Sequence, residues 1–303
     1  MKIIITGSTG FIGQNLALYF ERMGYEVVRM TFQKNKLSKN SQLEFYDFTA
    51  ITEHARIFEN VAGVVYLANL AHIPERSLSR DYAREVNVTQ TLKFASISKK
   101  YGVEKFVYLS SVKAVGEKHL TSGYSNTREP NPPTFYGSLK LETEIGLKKI
   151  FKDDGKYLAI RAPLVYGAGV KANFLKLLIC INLGLPLPLS GLEVRRSMLF
   201  VGNLCHAINH FFCADKIENG AYFLSDGKPE GLIATCEFLA HLLGKPLRLY
   251  RIPKKIMSII PGLKVLTKSL VIDDSEFRSS FKWSPAYSHE HGLAETVKWF
   301  KSR

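Results

Sequence analysis

Residues able to move a proton stand in order along the chain: Ser110 and Ser111, then Tyr136, then Lys140. Tyr136 and Lys140 form YxxxK in the helix-compatible stretch "FYGSLKLETE", which puts both side chains on one helical face. A phenol with a reference pKa near 10 is a poor acid or base at neutrality; a cation one turn away favours its ionised form and lets the pair transfer a proton. The two serines close a strand-like run that begins at Lys105. In a parallel α/β sheet, the carboxyl ends of strands are where ligands bind. A hydroxyl there can bond a substrate oxygen and the tyrosine, or it can satisfy only the strand's last backbone groups.

A second group of residues opens the chain. In "IIITGSTGFIGQNLALYF", Gly7, Gly10 and Gly13 make GxxGxxG directly after an apolar run and at the head of an amphipathic stretch. Backbone N–H groups and the dipole of a helix start favour a diphosphate there, and small side chains let it approach. The same spacing serves an ordinary strand-to-helix turn, so its context decides the matter. Ordered with the serines and the YxxxK pair at one sheet edge, the glycines become much more specific.

These residues need a frame to hold them. Strand-type runs at Lys2–Thr6, Glu26–Met30, Gly63–Ala68, Lys105–Ser110 and Tyr157–Ala162 alternate with helix-compatible Gln14–Met23, Arg80–Tyr101 and Phe135–Phe151. This alternation predicts an α/β fold: a doubly wound parallel sheet with helices on both faces. After Pro163 the pattern changes, with "GLPLPLSG", the basic "EVRRS", a helical Asn203–Ala214 and a strand at Ala221–Ser225. The organisation expected is a dinucleotide-binding domain over 1–165, to which 197–224 return, and a smaller, interleaved lobe formed mainly by 166–303.

Composition sets outer limits. The 303 residues are 46% hydrophobic, enough for a substantial core, and carry a formal net charge of +14, which favours anionic partners. The apolar run at Ile3–Ile5 is too short for a signal peptide and no long apolar span follows, so the cytoplasm is the default compartment. Cys180, Cys205, Cys213 and Cys236 lack paired spacing and are expected to be buried free thiols, with no disulfide framework and no metal site. The charge is dispersed and no nucleic-acid-binding module is evident, so nucleic acid is not expected as a partner. "RIPKKIMSIIPGLKVLTKSL" mixes five Lys and Arg with apolar residues; it suits an amphipathic packing helix, with peripheral membrane contact as the alternative.

In "YLSSVKAVGE" and "FYGSLKLETE", together with the glycine turn, the chain resembles the extended short-chain dehydrogenase/reductases, of the NAD-dependent epimerase/dehydratase kind that acts on nucleotide sugars, over nearly its whole length. The resemblance implies a Rossmann fold and a catalytic Ser111, Tyr136 and Lys140, since Ser111 stands 25 positions before Tyr136 as in the family. It also implies cofactor contacts from Gly7, Gly10, Phe11, Ile12 and Gly13. Further contacts are implied for Thr31, Asp47 with Phe48 at the adenine edge, Ala68, the helix residue Asn87, and Pro163 beside the nicotinamide. Where NAD-specific sites carry an acid about 20 residues beyond the turn, this chain has Thr31, with Arg29, Lys34 and Lys36 nearby. Repulsion of a 2′-phosphate is missing there, although the cations equally suit a solvated loop. The implied cofactor is NAD(P)H, tipped slightly towards NADPH.

For the substrate, the resemblance implies a UDP-sugar, with its diphosphate on Arg196 or Arg195 because a guanidinium binds phosphate bidentately. It implies a further polar contact from Asn173; His72 is a candidate sugar contact or, as the commoner alternative, a structural or pocket-lining histidine, and Lys113 is a candidate substrate contact at a position that varies in the family. "SSVKAVGE", "LVYGAGVKANFL", "GLPLPL" and "RRS" are most similar to bacterial 4-ketoreductases that form UDP-N-acetylquinovosamine for surface polysaccharides. A 4-epimerase shares one half-reaction and is the alternative. A non-catalytic dinucleotide sensor or assembly factor is the reading from another class. Family analogy implies a homodimer.

Overall fold

The computed structural model describes residues 1–31, 43–45, 55–70, 79–117, 123–216, 218–259 and 266–303. The amino-terminal half alternates strand and helix: β1 (Lys2–Thr6), α1 (Phe11–Arg22), β2 (Glu26–Thr31), β3 (Leu43–Phe45) and β4 (Val61–Tyr66). A continuous helical stretch follows as α2 (Arg80–Arg84), one π turn (Glu85–Thr89) and α3 (Gln90–Lys100). Next come β5 (Lys105–Ser111), α4 (Phe135–Ile150) and β6 (Lys156–Ala162). The later elements are β7 (Leu164–Tyr166), α5 (Ala172–Asn182), β8 (Arg195–Arg196), β9 (Met198–Phe200), α6 (Val201–Cys213) and β10 (Gly220–Phe223). The chain continues through β11 (Glu230–Gly231), α7 (Leu232–Leu243), α8 (Lys254–Ile259), α9 (Ser275–Phe281) and α10 (His289–Lys301).

Seven strands form one sheet in the order β10-β6-β5-β4-β1-β2-β3, every neighbouring pair parallel. This is the doubly wound Rossmann arrangement, extended at one edge by β10. Its order reverses between β1 and β4, so the crevice above the carboxyl ends of those two strands is the switch point where such sheets receive ligands.

The strands are apolar on both faces, as a sheet covered on both sides requires. Ile3, Ile5, Val65, Val107 and Leu158 face one core with Leu16 and Phe20 of α1 and Leu204, Ile208 and Phe211 of α6. Their alternates Ile4, Val64, Tyr66, Phe106 and Ala159 face a second core with Phe94 of α3 and Leu147 of α4. Helix α6 lies so close to the sheet that a Cβ on Gly63 would strike the Phe212 ring. Residues from 197 onwards thus divide: α6 and β10 join the sheet layer, whereas β9 pairs with β7 in a separate ribbon. β8 and β11 form a second ribbon, antiparallel.

Three expectations are corrected. β4 ends at Tyr66, because the hydroxyl of Thr6 on β1 accepts the N–H groups of Leu67 and Ala68 and takes the chain out of the sheet. Strand β3 has no counterpart in the sequence reading. The thiols are not uniformly buried: Cys205 and Cys236 are, Cys180 is half-buried and Cys213 is exposed. No helix among the described residues is long and apolar enough to cross a membrane.

Candidate active site

The glycine turn joins β1 to α1. Gly7 has φ +64°, a left-handed conformation that favours glycine, and a Cβ there would lie 3.0 Å from the Ala68 backbone nitrogen. At Gly13 a Cβ would sit 2.7 Å from the Ser8 Cα, so glycine alone lets the first turn of α1 close over the loop. Ser8 ties the turn to β2 by donating from N and Oγ to the Met30 carbonyl, at 3.3 and 3.0 Å. α1 starts at Phe11, Ile12 and Gly13 with no side-chain cap and no acid in its first turn. The N-terminal N–H groups and the positive end of the helix dipole are therefore available to a diphosphate.

Opposite the turn runs the strap 67–70. The Thr6 Oγ1 accepts from Leu67 and Ala68 at 3.0 and 3.1 Å. The fully buried Asn87, in the π turn, accepts from the Leu70 N–H at 2.8 Å and donates to its carbonyl at 3.3 Å. Asn87 therefore fixes the strap that carries Ala68. Between the two clasps lies Asn69, whose carboxamide oxygen and nitrogen are both buried with no hydrogen-bond partner among the described residues. A polar residue inside the apolar "VVYLANLA" was the one sequence signal of its presence.

The serine, tyrosine and lysine meet at the carboxyl end of β5. Ser111 ends β5 half-buried, and its Oγ accepts the Lys113 N–H at 3.2 Å, capping a short 3-10 turn. α4 begins against that turn, capped by Thr134. A Cβ on Gly137 would drive into the Lys113 carbonyl oxygen, so glycine permits the approach that brings Tyr136 towards Ser111. One turn on, the buried Lys140 donates from Nζ to the Leu109 carbonyl at 2.6 Å and lies over the rings of Tyr108 and Tyr136, 4.6 and 5.6 Å from their centroids.

Burial governs the ionisation of this pair. It pushes the Tyr136 phenol up to about 12, opposite to the lowering expected from the neighbouring cation. It draws Lys140 down to about 7, with the Glu144 carboxylate working against that shift. The Lys140 Nζ is engaged by the Leu109 carbonyl, and desolvation alone accounts for the rise of the phenol. Burial therefore favours the protonated phenol at Tyr136 near neutral pH.

Beneath the pair is an ion pair that the sequence reading missed. Arg161 of β6 donates to both oxygens of Glu144 of α4, its Nη2 at 2.8 Å, and Ser110 donates its hydroxyl to the same carboxylate. All three are buried. Glu144 continues the helical register of Tyr136 and Lys140, and Arg161 interrupts the apolar "YLAIRAPLVY"; those were the available signals. Ser110 is thus bound below the sheet edge, while Ser111 remains beside Tyr136's helix.

With this geometry established, residues 3–222 match the model of the NAD dependent epimerase/dehydratase family. The chain belongs to that family. A UDP-glucose 4-epimerase from Vibrio cholerae is 29% identical over 313 residues, covering 99% of this chain and 95% of that protein. In fold, the chain is similar to the Thermotoga maritima UDP-glucose 4-epimerase solved with UDP-glucose (TM-score 0.80, 22% identity, 100% and 99% of the two chains covered). It is similar also to WbmG from Bordetella bronchiseptica solved with NAD and UDP (TM-score 0.80, 17% identity, 99% and 94% covered).

The remaining residues expected in this family member lie further apart. Pro163 is half-buried where β6 passes into β7, and the loop after β7 is drawn to the glycine turn because Asn15 of α1 donates to the Ala168 carbonyl at 2.8 Å. Asn173 is exposed in the first turn of α5. On β8, Arg195 is exposed, whereas Arg196 is half-buried and donates from Nη2 to the Lys268 carbonyl at 3.0 Å. Lys113 is exposed and paired with Glu117 at 2.8 Å. Thr31 is buried at the end of β2. Arg29 is no loose cation: it grips Glu21 of α1 bidentately at 2.8 and 2.6 Å, so it drops out of the basic group near the ribose edge. Lys34, Lys36, Asp47, Phe48 and His72 lie outside the described residues. Among the described residues no cluster of His, Cys, Asp or Glu could hold a metal ion.

Proposed function

We infer that this protein is an NAD(P)H-dependent 4-ketoreductase, which reduces the C4 carbonyl of a UDP-4-keto-6-deoxy-N-acetylhexosamine to a UDP-deoxysugar destined for surface polysaccharide. The observation that supports this reading is the packing of α4, which carries Tyr136 and Lys140, against the turn after Ser111 at the sheet's carboxyl edge, where burial raises the Tyr136 phenol to about 12. Carbonyl reduction consumes a proton at oxygen, which a neutral phenol supplies. A sequence that begins by oxidising an alcohol, as a 4-epimerase does, first needs the ionised tyrosine.

The chain's own groups divide the work. Gly7, Gly10 and the N–H groups of Phe11, Ile12 and Gly13 would hold the dinucleotide's diphosphate; Ala68 and Pro163 would line its path, and Asp47 and Phe48 its adenine end. A bound reduced nicotinamide supplies the hydride that reaches C4. Ser111 Oγ donates to the C4 oxygen and orients it, and Tyr136 gives that oxygen its proton as negative charge develops. Lys140 holds the nicotinamide-side ribose and Tyr136's setting. Arg196, with Arg195, binds the UDP diphosphate, and Asn173, His72 and Lys113 contact the sugar nucleotide. Residues 1–165 with α6 and β10 are read as the dinucleotide domain and most of 166–303 as the substrate lobe. A homodimer in the cytoplasm completes the reading.

Thr31 supports a slight preference for NADPH, because no acid stands at the position that repels a 2′-phosphate. The name of the Vibrio cholerae relative favours 4-epimerisation as the second reading. Incubation with UDP-sugars and their 4-keto-6-deoxy forms, with NADH and NADPH separately and products read by NMR, separates the two. Oxidation of NAD(P)H by a 4-keto-6-deoxy sugar nucleotide is expected. Epimerisation of UDP-N-acetylglucosamine without added cofactor, and no oxidation of NAD(P)H, would overturn the reductase.

A further inference from the structure

A buried carboxamide with neither its donor nor its acceptor used is costly, since it has left water and gained nothing in exchange. Among the described residues Asn69 is in that state, although its neighbours are firmly held: Thr6 clasps Leu67 and Ala68 on one side, and Asn87 clasps Leu70 on the other. The backbone at Asn69 is therefore pinned, and its side chain is left bare by construction rather than by slack in a loop. Satisfied clasps on both sides of an unsatisfied residue are the pattern of a site whose last partner comes from outside the chain.

Its place in the sheet identifies that partner. β4 borders the switch point, across which the Ala68 nitrogen lies against Gly7 of the phosphate turn. On the other side, β4 and β5 are registered with Tyr66 opposite Tyr108. Asn69 and Ser111 each follow three residues beyond that pair. Asn69 therefore lies just beyond the carboxyl end of β4, on the same edge of the sheet where β5 ends at Ser111. A dinucleotide that spans the phosphate turn and Ser111 brings its nicotinamide-side ribose through this position. A carboxamide offers one acceptor and two donors, which match vicinal hydroxyls that both give and take hydrogen bonds.

We propose that Asn69 is a dinucleotide-binding residue, whose carboxamide hydrogen-bonds the nicotinamide-side ribose and thereby fixes the reach of the nicotinamide towards Ser111 and Tyr136. This rests on the dinucleotide reading given above. The pyranose of the sugar nucleotide offers the same hydroxyl chemistry, and binding measurements tell the two apart.

The test uses the full-length protein with Asn69→Leu, which keeps the volume and removes both polar atoms, and Asn69→Ala as a second variant. Three quantities are read: melting temperature without ligand, dissociation constants for NADH and NADPH by fluorescence titration, and the dissociation constant for UDP by calorimetry. A residue that only supports the fold would lower the melting temperature when replaced. A ligand-facing orphan does the reverse, so Asn69→Leu should melt at or above the wild-type temperature while its dinucleotide affinity falls about tenfold or more and UDP binding stays unchanged. Unchanged dinucleotide affinity in both variants would overturn the proposal, as would a loss confined to UDP or a drop in melting temperature alone. Failure of the wild type to bind either dinucleotide would instead overturn the underlying reading.

Discussion

Gly137 rests against the carbonyl oxygen of Lys113, at a distance no side chain would tolerate. That contact sets how far Tyr136, one residue before Gly137, stands from Ser111, two residues before Lys113. Gly137→Ala should push the start of α4 away from the β5 turn. Displacements of about 1 Å at a reacting centre cost about a hundredfold. We expect kcat/KM to fall by that order and stability by about 1–3 kcal/mol from overpacking, measured by steady-state kinetics and urea unfolding.

Tyr136→Phe keeps the ring against which Lys140 lies and removes the proton donor. Turnover should drop by about 10²–10⁴-fold, the usual worth of a positioned acid, with NAD(P)H affinity nearly unchanged. Full turnover in this variant, in stopped-flow reduction assays, would remove Tyr136 from the chemistry.

Lys140 gives a pH signature of opposite sign to that of a paired lysine. Burial lowers it from 10.5 to about 7 in the folded protein. Between those values the unfolded chain holds a proton that the folded chain lacks, so this residue's contribution to stability rises with pH across the window, and its full penalty stands below about 7. Lys140→Met should therefore stabilise the protein at pH 6 by roughly 3 kcal/mol, after allowing for the lost bond to the Leu109 carbonyl, with the gain shrinking towards pH 10. Denaturant melts of both proteins at several pH values test this; a gain independent of pH would count against it.

Arg161 and Glu144 form a pair buried between β6 and α4. Replacing only Arg161 by Met leaves a carboxylate without its cation and should cost about 3–5 kcal/mol, whereas replacing both with apolar residues should recover most of that loss. A double-mutant cycle by chemical denaturation measures the coupling; additive losses would show that the two side chains act separately.

Much of the sheet is legible in the sequence because strands covered on both faces are unbroken apolar runs, as at Ile3–Ile5 and Val64–Tyr66. Leu43–Phe45 escapes notice as a strand of three residues. The end of β4 escapes for another reason: Leu67 and Ala68 are apolar enough to continue it, and a hydroxyl on a different strand stops it. The spacing of Ser111, Tyr136 and Lys140 is visible along the chain. The ionisation of Tyr136 is not, because burial is set by packing from elements distant in sequence. The engagement of Arg29 by Glu21 is likewise a contact between strand and helix, and composition counts Arg29 only as positive charge.

The outer edge of β6 is completed by β10, residues 220–223, which come after the entire run through β7, α5, β8, β9 and α6. During synthesis, a chain that has emerged only as far as β6 carries a sheet whose edge is a row of unpaired backbone groups, open to pairing with a neighbour. The sheet that holds the glycine turn can therefore be completed only after residues up to 223 have left the ribosome. Order along the chain and order across the sheet differ in this protein, and the interval between β6 and β10 is when that edge is open.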